Sequence, residues 1–363
     1  MRIVYILENY FPNVGGVETL FKSLVESLAK EGHDITVVTS RTRPDLRLKE
    51  VSSNLTIVRL PFNNRYLFTF LAFFYAFPYV RKCDLVHTTS YNAGVPAFFA
   101  AKLLGKKVII TFHEVWADLW FRLPYMGTIG KWAHYLFEQF LLRLPFTIFV
   151  GVSKSTTANL RKAKVSSRRV LTIYNGINYD EFHVPVQTSE TTCFTYTYFG
   201  RLGISKGLDI LMKAIPVIHR RYPNCRFQLI VPAEPTNFLQ KIHAFIIENS
   251  LSESVLLRHH LPFEVLKRAI SHSDCVVIPS YSEGFCFAAV EAIALGTPVI
   301  SSDQTALKEV VCQKFIKMKE FSVEGLISAM DDAKKGNWQT SPLRKFNLST
   351  TIQAYKQLYQ QLV

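Results

Sequence analysis

The chain has 363 residues, 48% hydrophobic and 19% charged, which excludes a disordered or fibrous protein and suggests two domains, three at most. Lys and Arg number 42 against 28 Asp and Glu, a net charge of +14 that points to an acidic partner: nucleic acid, anionic lipid or a phosphorylated substrate. Residues 1–180 carry 23 basic and 12 acidic residues, +11, against +3 for the rest, so bulk attraction for anions belongs to the first half.

In chain order, Arg2–Leu7 is an apolar run of buried-strand type, and Glu8 follows it too early for a signal peptide. A Gly-containing loop leads into a predicted helix with apolar residues at Leu20, Phe21, Leu24, Val25 and Leu28. Gly32 closes that helix and Ile35–Thr39 resumes as a strand, which makes a βαβ unit and hence a parallel sheet. Strands continue at Leu55–Leu60, Leu85–Thr88, Val108–Thr111, Thr147–Val152 and Val170–Tyr174. Tyr66–Val80 is an uncharged run of fifteen residues between Arg65 and Arg81. It is shorter than the ~20 residues a membrane span needs, yet apolar enough to touch a bilayer surface.

Residues 178–192 are polar, contain Pro185 and show no period, and read as a linker. A second series follows, with strands at Phe194–Tyr198, Arg226–Val231, Val255–Leu257, Cys275–Ile278 and Val299–Ser301. The expected architecture is α/β: two doubly wound, Rossmann-like domains, 1–177 and 193–346, facing each other across a cleft, with a last helix in 347–363 packing back towards the first. Six scattered cysteines without a CxxC argue against a structural zinc site and a dense disulfide framework, and fit a reducing cytosol.

The strongest motif runs from Ser282-Glu283-Gly284-Phe285-Cys286 to Glu291, where a strand ends and doubly wound folds bind ligands. Gly284 permits a tight turn, and the helix it opens offers free N–H groups. A helix from Glu283 to Glu291 would rise roughly 12 Å, enough for the two carboxylates to meet opposite ends of a nucleotide sugar. The spacing alone equally fits a capped surface helix with two unrelated acids. Arg201 and Lys206, on the Gly-flanked loop Gly200–Gly207, are two cations able to clamp a diphosphate, though such a loop by itself is usually a basic turn. Asn13-Val14-Gly15-Gly16 lets backbone N–H groups approach a phosphate, but lacks the dinucleotide fingerprint. His113 ends an apolar strand, where a lone histidine is more often a satisfied core residue. Aromatic and basic residues crowd 116–143, Trp132, Tyr125 and Arg143 among them, and suit a membrane interface as well as an ordinary helix core.

Taken together, Glu283-x7-Glu291, Tyr10-Phe11-Pro12 with Gly15-Gly16-Val17-Glu18, Thr111–Trp116, Asn175-Gly176-Ile177 and Gly200-Arg201-Leu202 with Lys206-Gly207 stand in an order that resembles the retaining GT-B glycosyltransferases of family 4. The resemblance covers nearly the whole chain. It implies that Arg201 and Lys206 hold the donor diphosphate, that Glu291 binds the ribose and Glu283 the sugar hydroxyls, and that Gly284, Phe285 and Cys286 complete the donor site. His113 is implied to contact the donor sugar near its reacting carbon, and Gly16 to border the reacting centre.

The implied activity is metal-independent, retaining transfer of a hexose-type sugar, with no cofactor. The implied partners are a nucleotide-diphosphate sugar, an acidic or lipid-linked acceptor and an anionic membrane surface at the cytoplasmic face, without nucleic acid. A nucleotide-sugar-binding subunit without turnover and a phosphorylase-type GT-B enzyme are the alternatives. The chain departs from the family where glycines are usual: Val231–Pro235, next to His259, and Thr305-Ala306 before Glu309. Donor identity is the property these loops bear on. No Asp-x-Asp motif is present, which argues against a metal-dependent GT-A enzyme.

Overall fold

Apolar, β-branched runs separated by amphipathic helices bury both faces only in a parallel sheet covered on each side. The computed structural model of the chain, which describes residues 1–13, 15–123, 126–184, 193–234 and 236–363, contains two such sheets. They belong to two compact units: Met1–Arg122 with Met126–Gly176 and Phe346–Val363, and a second built on Ile177–Lys345.

In the first unit the strands are β1 (Arg2–Ile6), β2 (Asp34–Ser40), β3 (Lys49–Ser52), β4 (Leu55–Leu60), β5 (Leu85–Thr89), β6 (Lys107–Phe112), β7 (Ile148–Gly151) and β8 (Val170–Thr172). Their order is β3-β4-β2-β1-β5-β6-β7-β8, parallel except for the β3–β4 pair. The helices are α1 (Gly16–Lys30), α2 (Arg65–Val80), α3 (Gly94–Leu103), α4 (Leu119–Arg122), α5 (Thr128–Arg143) and α6 (Lys154–Lys162). α1 buries the expected stripe of Leu20, Phe21, Leu24, Val25 and Leu28. The uncharged run is α2, capped by the Asn64 side chain, which accepts from the N–H groups of Tyr66 and Leu67. Phe68, Ala72, Ala76 and Val80, four residues apart, face the core, while Phe70 and Phe74 are exposed. No described helix is long and apolar enough to cross a membrane.

The second unit has β9 (Thr195–Phe199), β10 (Arg226–Ile230), β11 (Val255–Arg258), β12 (Cys275–Ile278), β13 (Val299–Ser301), β14 (Gln313–Lys317) and β15 (Gln339–Ser341), ordered β11-β10-β9-β12-β13-β14-β15. At the margin of this sheet β15 runs antiparallel to β14. The connections are α7 (Leu208–Arg221), α8 (Thr236–Glu248), α9 (Phe263–Ser271), α10 (Phe287–Ala294), α11 (Leu307–Val310) and α12 (Val323–Lys334). The strand order reverses between β1 and β5 in one sheet and between β9 and β12 in the other. At such switch points a crevice opens beyond the carboxyl ends of the strands.

The stretch expected as a linker begins with order: Tyr179–Phe182 form one 3-10 turn, and Phe182 is buried edge-on against Phe263 at 5.6 Å. Its polar neighbours hid this anchor; residues 185–192 lie outside the described residues. The last helix, α13 (Leu348–Leu362), packs in the first unit, burying Tyr355, Leu358 and Tyr359 with Tyr5 and Phe21. Each such side chain contributes ~1.5–3 kcal/mol. Its start explains Asn175-Gly176: a Cβ on Gly176 would lie 2.5 Å from the Asn347 backbone. Thr351 Oγ1 donates to the Tyr174 carbonyl at 2.8 Å beside it.

Candidate functional site

At the β9/β12 switch point two loops are pressed together. Gly207 takes a left-handed backbone (φ 68°), and a Cβ there would lie 1.9 Å from the Pro279 carbonyl oxygen, so no other residue fits. The Tyr281 N–H donates to the Ser205 carbonyl at 2.8 Å, and Lys206 Nζ meets Glu283 Oε2 at 2.7 Å. Glu283 is only 6% exposed, and its second oxygen accepts from Ser280 Oγ at 2.7 Å. Its backbone is clamped as well: the Glu283 N–H donates to Thr305 Oγ1 at 2.8 Å, and that hydroxyl donates to the Glu283 carbonyl at 2.9 Å. Arg201 stands on the same loop as Lys206 but is exposed, with no hydrogen-bond or ion-pair partner for its guanidinium among the described residues.

The helix of the Glu-x7-Glu motif starts later than the spacing implied. α10 opens at Phe287, after Cys286 in a left-handed conformation (φ 72°), so Glu283 sits on a loop and the roughly 12 Å helical rise does not separate it from Glu291. Cys286 is buried, which holds its thiol in the protonated form, and Phe285 packs edge-on to Phe287 at 5.1 Å. Glu291 lies within α10. Burial alone pushes its carboxyl up to about 7, and its side chain has no partner among the described residues. A half-buried carboxylate without a partner is poised for a ligand with hydroxyl donors.

In the first unit Gly16 opens α1 at the carboxyl end of β1, and His113 follows β6, its ring edge-on to Phe21 at 6.1 Å. Beneath lies buried His87: Nδ1 is 2.6 Å from the Tyr359 hydroxyl and Nε2 is 2.8 Å from Thr111 Oγ1. Burial, with His113 nearby, takes its pKa down to about 3. The loop after His113 is held by a residue that sequence reading missed. Glu138 of α5 is fully buried and accepts from the N–H groups of Trp116 at 2.9 Å and Ala117 at 2.7 Å, and from the Tyr91 hydroxyl at 2.9 Å. Twenty-odd residues separate it from the loop, so no local pattern marks it. Among the described residues no three His, Cys, Asp or Glu side chains are grouped as metal ligands would be.

Residues 14–181 match the profile described as Glycosyltransferase Family 4, and residues 180–345 the one described as Glycosyl transferases group 1. The chain is a glycosyltransferase of the GT-B fold, and family 4 fits it. It is 23% identical over 92% of its length to a subunit of human phosphatidylinositol N-acetylglucosaminyltransferase, covering 68% of that protein. It is 24% identical over 80% of its length to D-inositol 3-phosphate glycosyltransferase of Corynebacterium diphtheriae, covering 74%. Among solved structures it resembles sucrose-phosphate synthase of Thermosynechococcus elongatus (TM-score 0.82, 21% identity, 100% and 99% of the two chains). It also resembles Anabaena HepE in complex with UDP and glucose (TM-score 0.73, 14% identity, 99% and 100%).

Within the second unit of this glycosyltransferase, Lys206, Glu283, Gly284, Phe285 and Cys286 gather on adjoining loops. Thr305, seen in the sequence only as a departure from a Gly-Gly pair, is what holds Glu283.

Proposed function

We propose that this glycosyltransferase moves a hexose-type sugar, with retention of anomeric configuration and without a metal, from a nucleotide-diphosphate sugar to a membrane-associated glycan or lipid-linked acceptor of cell-surface polysaccharide or glycolipid synthesis. The observation that carries the donor half is the Lys206–Glu283 pair at the β9/β12 switch point. In this reading Lys206 and Arg201 take the diphosphate and stabilise its charge as the glycosidic bond breaks, while Glu283, still aimed by Ser280, accepts from sugar hydroxyls. Glu291 accepts from the ribose, and Gly284, Phe285 and Cys286 shape the floor of the donor site. His113 and Gly16 border the reacting centre. Without a nucleophile placed as in a retaining glycosidase, front-face substitution within an ion pair is the favoured course. The acceptor half is supported by the basic first half of the chain and by relatives named for phosphatidylinositol and inositol 3-phosphate. Its location is then the cytoplasmic face of the membrane.

The test is thermal shift against UDP, GDP, ADP and their sugars, with and without EDTA. A ligand at 100 times its Kd adds about 2.7 kcal/mol to stability. A selective shift that survives EDTA and is lost in Lys206→Ala is expected; turnover in that variant should fall about 10²–10³-fold. A full shift in Lys206→Ala refutes the donor assignment.

A further inference from the structure

One groove of the first unit is lined by cations that no acid neutralises. Arg122, Arg143, Lys162, Lys164 and Arg169 border a depression of about 930 Å3 between α5 and α6, and Asp118 is the acidic residue on its wall. All five basic side chains are exposed, and none has an ion-pair partner among the described residues. Lys164, just past the end of α6, has a left-handed backbone (φ 64°), so a lysine stands where glycine would close the helix with less strain. Clustered unpaired cations raise the electrostatic energy of the free protein and lower it once an anion sits among them.

A second, chemically different surface adjoins the groove. Ile129, Trp132, Leu136 and Phe140 of α5 are exposed, Ile129 at 88% and Leu136 at 58%, and form a stripe. That stripe is roughly 65° around the helix from the groove residues Tyr135, Gln139 and Arg143. α2 and α3, which share one hydrophobic core with α5, also turn apolar side chains outwards: Phe70 and Phe74, Phe99 and Leu103. A soluble polyanion would use the cations and leave these stripes in water. A ligand with a phosphate head and acyl chains uses both.

We propose that the α5–α6 groove is a binding site for the phosphate groups of anionic lipids, with the α5 stripe resting in the interface beside it. The inference rests on the membrane half of the function proposed above and assigns that half to particular residues. It needs no donor chemistry, because the groove lies wholly in the first unit.

The experiment is flotation of the full-length protein with phosphatidylcholine vesicles, with and without phosphatidylglycerol, at low salt. The wild type should float only with the anionic vesicles. Each basic residue near an anionic surface changes binding roughly fivefold, so Arg143→Glu, Lys162→Glu and Lys164→Glu together should weaken it at least about 100-fold. A control with the same charge change on exposed residues of the second unit, Arg226→Glu, Arg268→Glu and Lys319→Glu, should lose far less. Trp132→Ser with Phe140→Ser should weaken flotation while leaving its salt dependence unchanged. Equal losses in the two triple variants, or no flotation of the wild type, overturns the proposal; so does groove-dependent binding of single-stranded RNA without binding of vesicles. The groove variant is also assayed for nucleotide thermal shift, which should equal that of the wild type and shows that it is folded. If no nucleotide shifts either protein but flotation still follows the groove, the donor reading fails and this proposal stands.

Discussion

Replacing Glu291 by Gln should stabilise the unliganded protein, and only on the alkaline side. Burial raises the Glu291 carboxyl from an ordinary 4.5 to about 7 in the folded chain. The folded state therefore holds a proton that the unfolded state gives up between those two values. Stability is lost as pH rises through that window, and the loss is complete above about 7. Working the linkage between pH 5 and pH 8 gives about 2.5 kcal/mol of destabilisation carried by this one group. Gln has the same shape and no charge, so the variant escapes it. For a unit of this size that difference corresponds to roughly 5–10 °C in Tm.

The assay is calorimetry of both proteins at pH 5 and pH 8. The Tm advantage of Glu291→Gln should be small at pH 5 and grow by that amount at pH 8. Nucleotide binding should move the other way, because a bond to a charged acceptor is worth ~1.5–3 kcal/mol and the variant loses it, about 10- to 150-fold in affinity. In the wild type, affinity should rise from pH 5 to pH 8 as the carboxylate forms. A Tm advantage equal at both pH values would show that Glu291 does not titrate in this range, and the reasoning would fail.

Thr305→Ala keeps the left-handed backbone but removes the clamp on Glu283, and Thr305→Gly removes both the clamp and the strain. Both should weaken donor binding, read by thermal shift with nucleotide, while Thr305→Gly melts higher than Thr305→Ala by about 1 kcal/mol of stability. His87 is neutral when buried, with a pKa of about 3 against an ordinary 6.5, so its contribution is intact above 6.5 and is lost as pH falls. His87→Gln should start less stable, yet lose about 3 kcal/mol less than the wild type between pH 6.5 and pH 4 in denaturant titrations.

The strand–helix alternation was legible because parallel strands buried on both faces are written as continuous apolar runs, as in Ile35–Thr39 and Cys275–Ile278. The strands that escaped notice are at or near the sheet margins: β3, β14 and β15, whose exposed Lys49, Lys314 and Gln339 dilute the pattern. In the candidate site, Lys206 and Glu283 could be read from their motifs, but the direct bond between them could not. Nor could Glu138 or the role of Thr305, because a buried carboxylate and a hydroxyl acquire their purpose only from backbone groups that the fold carries to them.

Backbone strain follows the same geography. Six of the ten described non-glycine residues with φ in the left-handed range, Tyr91, Ala117, His260, Cys286, Asp303 and Thr305, lie on the connections that follow the carboxyl ends of β5, β6, β11, β12 and β13. Each costs on the order of 1 kcal/mol, and together they approach the whole net stability of a typical domain, so the strain must be offset locally. It is: one buried carboxylate, Glu138, takes both the Tyr91 hydroxyl and the Ala117 N–H, and one hydroxyl, on Thr305, takes both backbone groups of Glu283. Glycines at these positions would relieve the strain and leave the loops freer to move. With side chains there, the loops that bear His113 and Glu283 are held in one arrangement before any ligand arrives, which is the condition for spending binding energy on the reaction rather than on ordering the site.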